Sequence, residues 1–530
     1  MKVLRMVAAP AALAALLLPQ VALAQKAGGT IKITHRDSPP SASIHEEATN
    51  STVIPFMSVF NNLVLYDQGK PQNSLDTIVP DLAESWSWNG DNTQLTFKLR
   101  QGVKWHDGKP FTAKDVQCTW DMLQGKGEAK LRKNPREIWY QNLDKVTVNG
   151  DFEATFHLKR PQPSFLALLA SGYSPVYSCH VPQRDMRTKP IGTGPFKVVA
   201  FEPNKLIKLE KNKDYWKKGR PYLDGIELPI ITNRSTRSLA FVAGDLDLTF
   251  PSDITIPMLK DIKAQAPKAV CSLSPMNVSG NLIVNRDAPP FSDERIRRAM
   301  ALTIDRQAFI DILSEGKSDM GGALLPQPEG VWGMPREMLE KIPGYGKDIA
   351  GNREAARRLM REAGYGPEKR LPVKVATRNI AIYRDPAVIL IDQLREIYID
   401  GELDVVETAV WYSKITRKDF SVGMNLTGSG VDEPDQQFFE NYACGAERNY
   451  TNYCNKEIEA LFDKQSMEAD VEKRKPIVWE IDRKLQEDVA RPIIYHERSG
   501  TCWHPYLKGY TEMVNSVYNG YRFEDLWLDK

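Results

Sequence analysis

GVKWHDGKPFTAKDV, residues 102–116, sets His106, Asp107 and Lys109 close together in a chain of 530 residues that has only seven histidines. Asp107-Gly108 is a turn dipeptide. Thr112 with Asp115 three residues on makes a variant capping box that opens a helix over AKDVQCTWDML. On either side, QLTFKLR (94–100) and EATFHLK (153–159) alternate apolar and polar residues as half-buried strands do. Strand, turn and helix follow one another, so this region is mixed α and β. Catalysis by His106 and Asp107 would need an orienting partner and a nucleophile, and no G-x-S-x-G elbow occurs. Metal binding fares no better, because no HExxH or CxxC supplies further ligands. The stretch therefore predicts architecture: a turn, a cap and a helix.

Working outward, the chain starts MKVLRMVAAPAALAALLLPQVALAQ, with Lys2 and Arg5 before an apolar run that closes on Ala22-Leu23-Ala24. This is the pattern of a secretory signal cleaved after Ala24, so residues 1–24 are set apart from the fold. The run is broken by Pro10 and Pro19, and no later segment reaches the roughly 20 apolar residues of a membrane span. The first cysteine is Cys118, so nothing near the signal can carry a lipid, and the mature chain is expected free in a periplasm. The whole chain has 70 Lys plus Arg against 68 Asp plus Glu, and removing Lys2 and Arg5 leaves 68 against 68. That balance argues against a nucleic-acid or anionic-membrane partner.

Further along, TIKIT (30–34) reads as a strand leading into the polar loop HRDSPPSAS, and 54–65 suits a helix. IGTGPFKVVAF (191–201) is a turn and strand with LIKLEKN as hairpin partner. SDERIRRAMALTIDRQAFIDILSEG (292–316) reads as one helix capped by Ser292 and ended by Gly316. A helix at 352–363, a strand LPVKVAT (371–377), a helix at 386–399, strands at LDVVETA and FSVGMNLTG, and a helix at 473–489 complete the pass. Alternating strands and helices predict an α/β lobe whose ligand sits at the carboxyl ends of strands. Six cysteines allow fifteen connectivities. Only Cys444 and Cys454 are close in sequence; a bridge there would add about 2–3 kcal/mol, and two buried thiols or a metal pair is the alternative. Sequence leaves Cys118, Cys179, Cys271 and Cys502 unassigned.

GVKWHDGKPFTAKDV, preceded by IVPDLAESWSW and LTFKLR, resembles the signature of the peptide, nickel and opine family of extracytoplasmic solute-binding proteins, which serve ABC importers. IGTGPFKVVAF, KNKDYWKKGRPYLDGIEL, FSDERIRRAMALTIDRQAF, EAARRLMREAGYG and NYTNYCNKEIEALFDKQ match in the same order. The resemblance implies a periplasmic-binding-protein-like fold: two α/β lobes joined by a hinge, with an additional α+β domain inserted in the first. On that template lobe I holds 25–54, 190–282 and 495–530, the inserted domain 55–189, and lobe II 283–494. It implies a Cys444–Cys454 bridge, a small-molecule or peptide ligand, an inner-membrane ABC permease as partner, a monomer, no cofactor, no metal and no enzymatic activity.

The resemblance also points to site residues. Arg378 falls where dipeptide-binding relatives hold the ligand carboxylate, a task suited to a guanidinium. Where peptide-binding relatives place an Asp for the ligand ammonium, four residues before a Pro, TGSGVDEP puts Gly430 with Ser429 before it; Asp432 could serve after a small shift. Trp411 and Trp332 fall where aromatic walls line the cleft. Gly430 raises a second expectation, an opine-like or aromatic acid without a free α-amine. A secreted hydrolase using His106, Asp107 or the Cys179-His180 pair, and a nickel or haem carrier, are the readings from other classes.

Overall fold

A computed structural model describes residues 25–530; the signal-peptide expectation falls outside that range. Two α/β lobes and an inserted domain are each organised on a sheet. The first sheet is four-stranded, in the order Thr30–Lys32, Gly225–Pro229, Leu206–Lys211 and Phe196–Glu202. Thr30–Lys32 runs parallel to Gly225–Pro229 and the other pairs are antiparallel. The second sheet has five strands, ordered Ile399–Val406, Leu371–Arg378, Val422–Gly428, Val270–Val284 and Ile493–Trp503. Its first three strands are mutually parallel, so the carboxyl ends of Leu371–Arg378 and Val422–Gly428 emerge on the same edge. The inserted domain carries an antiparallel sheet ordered Ala83–Trp88, Gln94–Leu99, Glu153–Leu158 and Leu143–Val148.

Two long strands tie the lobes together. Val270–Val284 and Ile493–Trp503 pair antiparallel along most of their length, with a register shift between Pro275 and Ser279. On one side of the shift, bridges Leu248 to Trp503 and Ile254 to Gly500 join them to the first lobe. On the other, Val278–Val284 pairs with Val422–Gly428 of the second sheet. Cys271 and Cys502, opposite each other in register, form a disulfide on the first-lobe side.

The stretch at 102–116 folds as its residues dictate. Gly108 has φ +87° in the turn, where a residue without Cβ is unstrained. Thr112 caps the helix Ala113–Leu123 in a reciprocal box with Asp115, whose Oδ2 accepts from Thr112 N at 3.0 Å. Two expected elements differ. The helix expected at 54–65 is Asn50–Phe56, capped by Thr49, because Asn61 and Asn62 are drawn into hydrogen bonds with buried Asp81. The single helix expected over 292–316 is two, Glu294–Thr303 and Arg306–Ser314. Asp305 breaks the run by capping the second, its side chain accepting from Ala308 N at 3.0 Å.

Candidate functional site

The carboxyl end of Leu371–Arg378 meets the loop that leaves Thr30–Lys32. Arg378, fully buried, reaches across to Asp37, Nη2 to Oδ2 at 2.5 Å. Thr408 Oγ1 accepts from Arg378 Nε at 2.8 Å and donates to the same Asp37 oxygen at 2.8 Å. Ser51 Oγ donates to the other Asp37 oxygen at 2.6 Å. The Tyr383 and Tyr412 hydroxyls accept from Arg378 Nη1 at 3.3 and 3.4 Å. Burial alone would raise the Asp37 carboxyl, but Arg378, with His35 and Arg36, outweighs it and holds it well below the ordinary carboxylate range. Arg378 thus has its anionic partner within the chain itself.

Beside this tie lies a cavity of about 30 Å³, measured as space open to the centre of a water molecule. Thr49, Asn50, Ser252, Tyr383, Tyr412 and Arg448 line it. Arg36 and Glu497 complete its charged lining, and each also borders a larger neighbouring cleft. The cleft beyond Arg36 measures about 470 Å³ and the one beyond Glu497 about 280 Å³ on the same scale.

None of the six residues singled out from sequence lines the cavity itself. Their neighbours do. Trp411 packs into a core with Ala48, Ile283 and Ala376, while Tyr412, about 100° further round the same helix, faces the cavity and Arg378. Gly428 lines the cavity, and Ser429 behind it donates to Gln437 Oε1 at 2.7 Å. At Gly430 an added Cβ would lie 3.0 Å from the Trp139 ring and 3.2 Å from Ser171 Oγ, which leaves little room for an Asp side chain. Asp432 and Trp332 are brought together away from the cavity: Asp432 Oδ2 accepts from Val331 N at 3.0 Å and its carbonyl from Trp332 Nε1 at 3.2 Å. Asp37, Glu497, Arg36 and Arg448 were missed by sequence reasoning. Only Asp37 and Arg36 carried a signal, as charged residues just beyond a strand's carboxyl end.

The candidate nucleophiles have structural employment. Cys179 is bonded to Cys118, so it is no free thiol, and Cys444 pairs with Cys454 as the resemblance implied. His106 receives Gly192 N at 3.3 Å on Nδ1 and meets the Gly194 carbonyl at 3.0 Å through Nε2. Burial lowers it to about 4. His180 and Asp107 pair at 2.7 Å on the surface of the inserted domain. Among the described residues no group of three or more His, Cys, Asp or Glu could hold a metal.

Residues 77–449 match the family model described as bacterial extracellular solute-binding proteins, family 5 middle. The chain belongs to this family. The family 5 chain is 26% identical over 473 residues to the oligopeptide-binding protein AppA of Bacillus subtilis, covering 85% of this chain and 83% of that one. It is 26% identical over 483 residues to di/tripeptide-binding protein 1 of Pseudomonas aeruginosa, covering 85% of both. Its fold matches DppA from Helicobacter pylori, solved with the peptide STSA, at a TM-score of 0.84 and 23% identity over 95% of this chain and 99% of that one. It matches AgaA from A. tumefacien R10, solved with agropinic acid, at 0.82 and 22% over 95% and 99%. Among the described residues, no helix of this family 5 member is long and apolar enough to cross a membrane.

Proposed function

We propose that this chain is the exported solute-capturing component of an ABC importer. It takes a peptide-like or carboxylate-bearing solute between two closing lobes and delivers it to an inner-membrane permease, acting as a monomer and catalysing no reaction. The observation that carries this reading is the pocket that lies beside the buried Asp37–Arg378 pair, at the carboxyl ends of Leu371–Arg378 and Val422–Gly428. The peptide-binding names of the relatives in Bacillus subtilis and Pseudomonas aeruginosa support the solute class.

We assign lobe I to 25–54, 190–282 and 495–530, the inserted domain to 55–189 and lobe II to 283–494, with cleavage of the signal after Ala24. Flexing is assigned to the register shift between Pro275 and Ser279. Arg378 serves the site as the tie between lobes, while Ser429, Gly430, Asp432, Trp332 and Trp411 support the walls from behind. Solute bridging the lobes favours closure only through contacts absent from the open form. A second reading, an opine-like acid without a free α-amine, is favoured by Gly430, which offers no carboxylate. Calorimetry and small-angle scattering of the mature protein test the proposal with dipeptides, tripeptides and amine-free acids. Binding with a fall in radius of gyration is expected; no binding and no compaction with any of them would overturn it.

A further inference from the structure

We infer that Glu497 is the subsite for an amino group, and that the solute therefore carries a protonated amine. The inference rests on the cavity being the solute site. Glu497 stands on the long strand Ile493–Trp503, at the neck where the pocket meets the cleft lined by Arg234, Asp385 and Arg498; Ile382 and Glu497 border both spaces.

The argument turns on which charges in this wall already have partners. Arg448 is paired with Glu440, and Arg237 with Asp253. Arg378 is paired with Asp37. Arg36 lies 3.5 Å from Asp253 and 3.9 Å from Asp37, and donates to Asn50 at 3.1 Å. Glu497 alone among the charged residues lining the cavity has no hydrogen bond within 3.5 Å and no ion pair within 4.0 Å among the described residues. Half-buried at this neck and without a partner in the chain, the Glu497 carboxylate is open to a solute that brings a donor and a positive charge. An ammonium supplies both. Tyr518, on the same lining, offers an aromatic ring that suits a cation as well, whereas Tyr383 and Tyr412 already hold the Arg378 guanidinium over theirs.

The electrostatics agree with the geometry. Burial pushes the Glu497 carboxyl up to about 7; Asp253 adds to the rise, and Arg36 and Arg234 oppose it. Asp385 and Arg498 face the same cleft, and Arg448 the cavity. An amine prefers the ionised carboxylate, so its affinity should weaken as pH falls below about 7, by up to tenfold per pH unit for one linked proton. This gives the peptide-like reading a counter-charge that Gly430 does not provide, from a different element of the fold.

The test uses the mature protein and matched probes: alanylalanine, trialanine, alanine and putrescine, each beside its N-acetylated form, by calorimetry at pH 8 and pH 6. The expected result is that amine-bearing probes bind and acetylated ones do not. Glu497→Gln should weaken the amines about ten- to a hundredfold, the range for a charged hydrogen bond. Without solute the variant should melt no lower than wild type, because it removes an unpartnered charge. Should Glu497→Gln fail to fold, loss of wild-type affinity between pH 8 and pH 6 for amines alone decides the matter. Equal binding of acetylated probes, amine binding indifferent to Glu497→Gln and to pH, or no binding by any probe would overturn the inference. Native mass spectrometry of protein purified from a periplasm judges the broader reading separately: a bound small molecule without an amine keeps solute capture and removes only the amine subsite.

Discussion

Asp37→Asn is expected to open the protein. The substitution keeps the shape of the side chain but removes the anion that Arg378 meets at 2.5 Å, leaving a fully buried guanidinium uncompensated in the closed form. Removing one partner of a buried pair costs about 3–5 kcal/mol, because the surviving charge stays desolvated. Opening that exposes Arg378 to water would place this cost almost wholly on closure. At about 1.4 kcal/mol per decade, the closed-to-open ratio should fall by roughly two to three decades or more. The assay is a distance between labels on the two lobes, read by single-molecule fluorescence transfer, with radius of gyration as a second readout. Asp37→Asn combined with Arg378→Leu should close more readily than Asp37→Asn alone, since no orphan charge remains. An unchanged distance distribution in Asp37→Asn, or a double variant no more closed than the single one, would refute the reasoning. The folded-state value of Asp37 is depressed, so its contribution is present above the ordinary carboxylate range and lost only as pH falls well below it. The tie should therefore hold across neutral and mildly acidic pH.

Other perturbations separate scaffold from site. The Cys271–Cys502 bridge closes a separation of 231 residues and the Cys444–Cys454 bridge one of 10, so loop entropy assigns them about 5 and about 3 kcal/mol. Paired serine variants in chemical denaturation should rank in that order, and the reverse order would count against a chain-entropy origin. His106→Ala should cost about 1–3 kcal/mol through its lost backbone bonds and leave solute binding unchanged. Burial lowers His106 to about 4, so its contribution declines as pH falls from its ordinary value of 6.5 toward 4; melting against pH should be flatter on the acid side in the variant. Burial pushes Asp432 up to about 6 against the bonds from Val331 and Asn515. The folded protein therefore gains stability as pH drops from there toward 3.8, and Asp432→Asn should melt above wild type at pH 8 and show no advantage at pH 4. A lower melting point at pH 8 would contradict that assignment.

What could be read from the sequence was mostly local. The Asp107-Gly108 turn and the Thr112–Asp115 box involve neighbours within a few residues, and both stand in the fold as their spacing required. Asp305 had the same kind of signal, a capping residue three before Ala308, but the apolar periodicity running through it masked the break between two helices. Arg378 could be placed at a strand end because LPVKVAT reads as a strand and resembles the one that precedes an arginine in dipeptide-binding relatives. Its partner could not, since Asp37 is 341 residues earlier and only tertiary folding brings the two together. Trp411 and Tyr412 differ by one step along a helix, and which of them faces the cavity depends on how that helix is rotated against Ala48 and Ile283.

The two charges that matter most at the cleft were hidden for opposite reasons. Asp37 is answered inside the protein, so in this structure Arg378 already has its anionic partner. Glu497 is unanswered, and sequence holds no trace of that because an absent partner leaves no motif. Specificity in such a cleft is set by the charge left over once the chain has paired its own. Among the charged residues lining the pocket, that remainder is Glu497. A solute that brings a cation to the neck between cavity and cleft completes the wall, whereas one that brings only an anion must first break a pair the fold has already made.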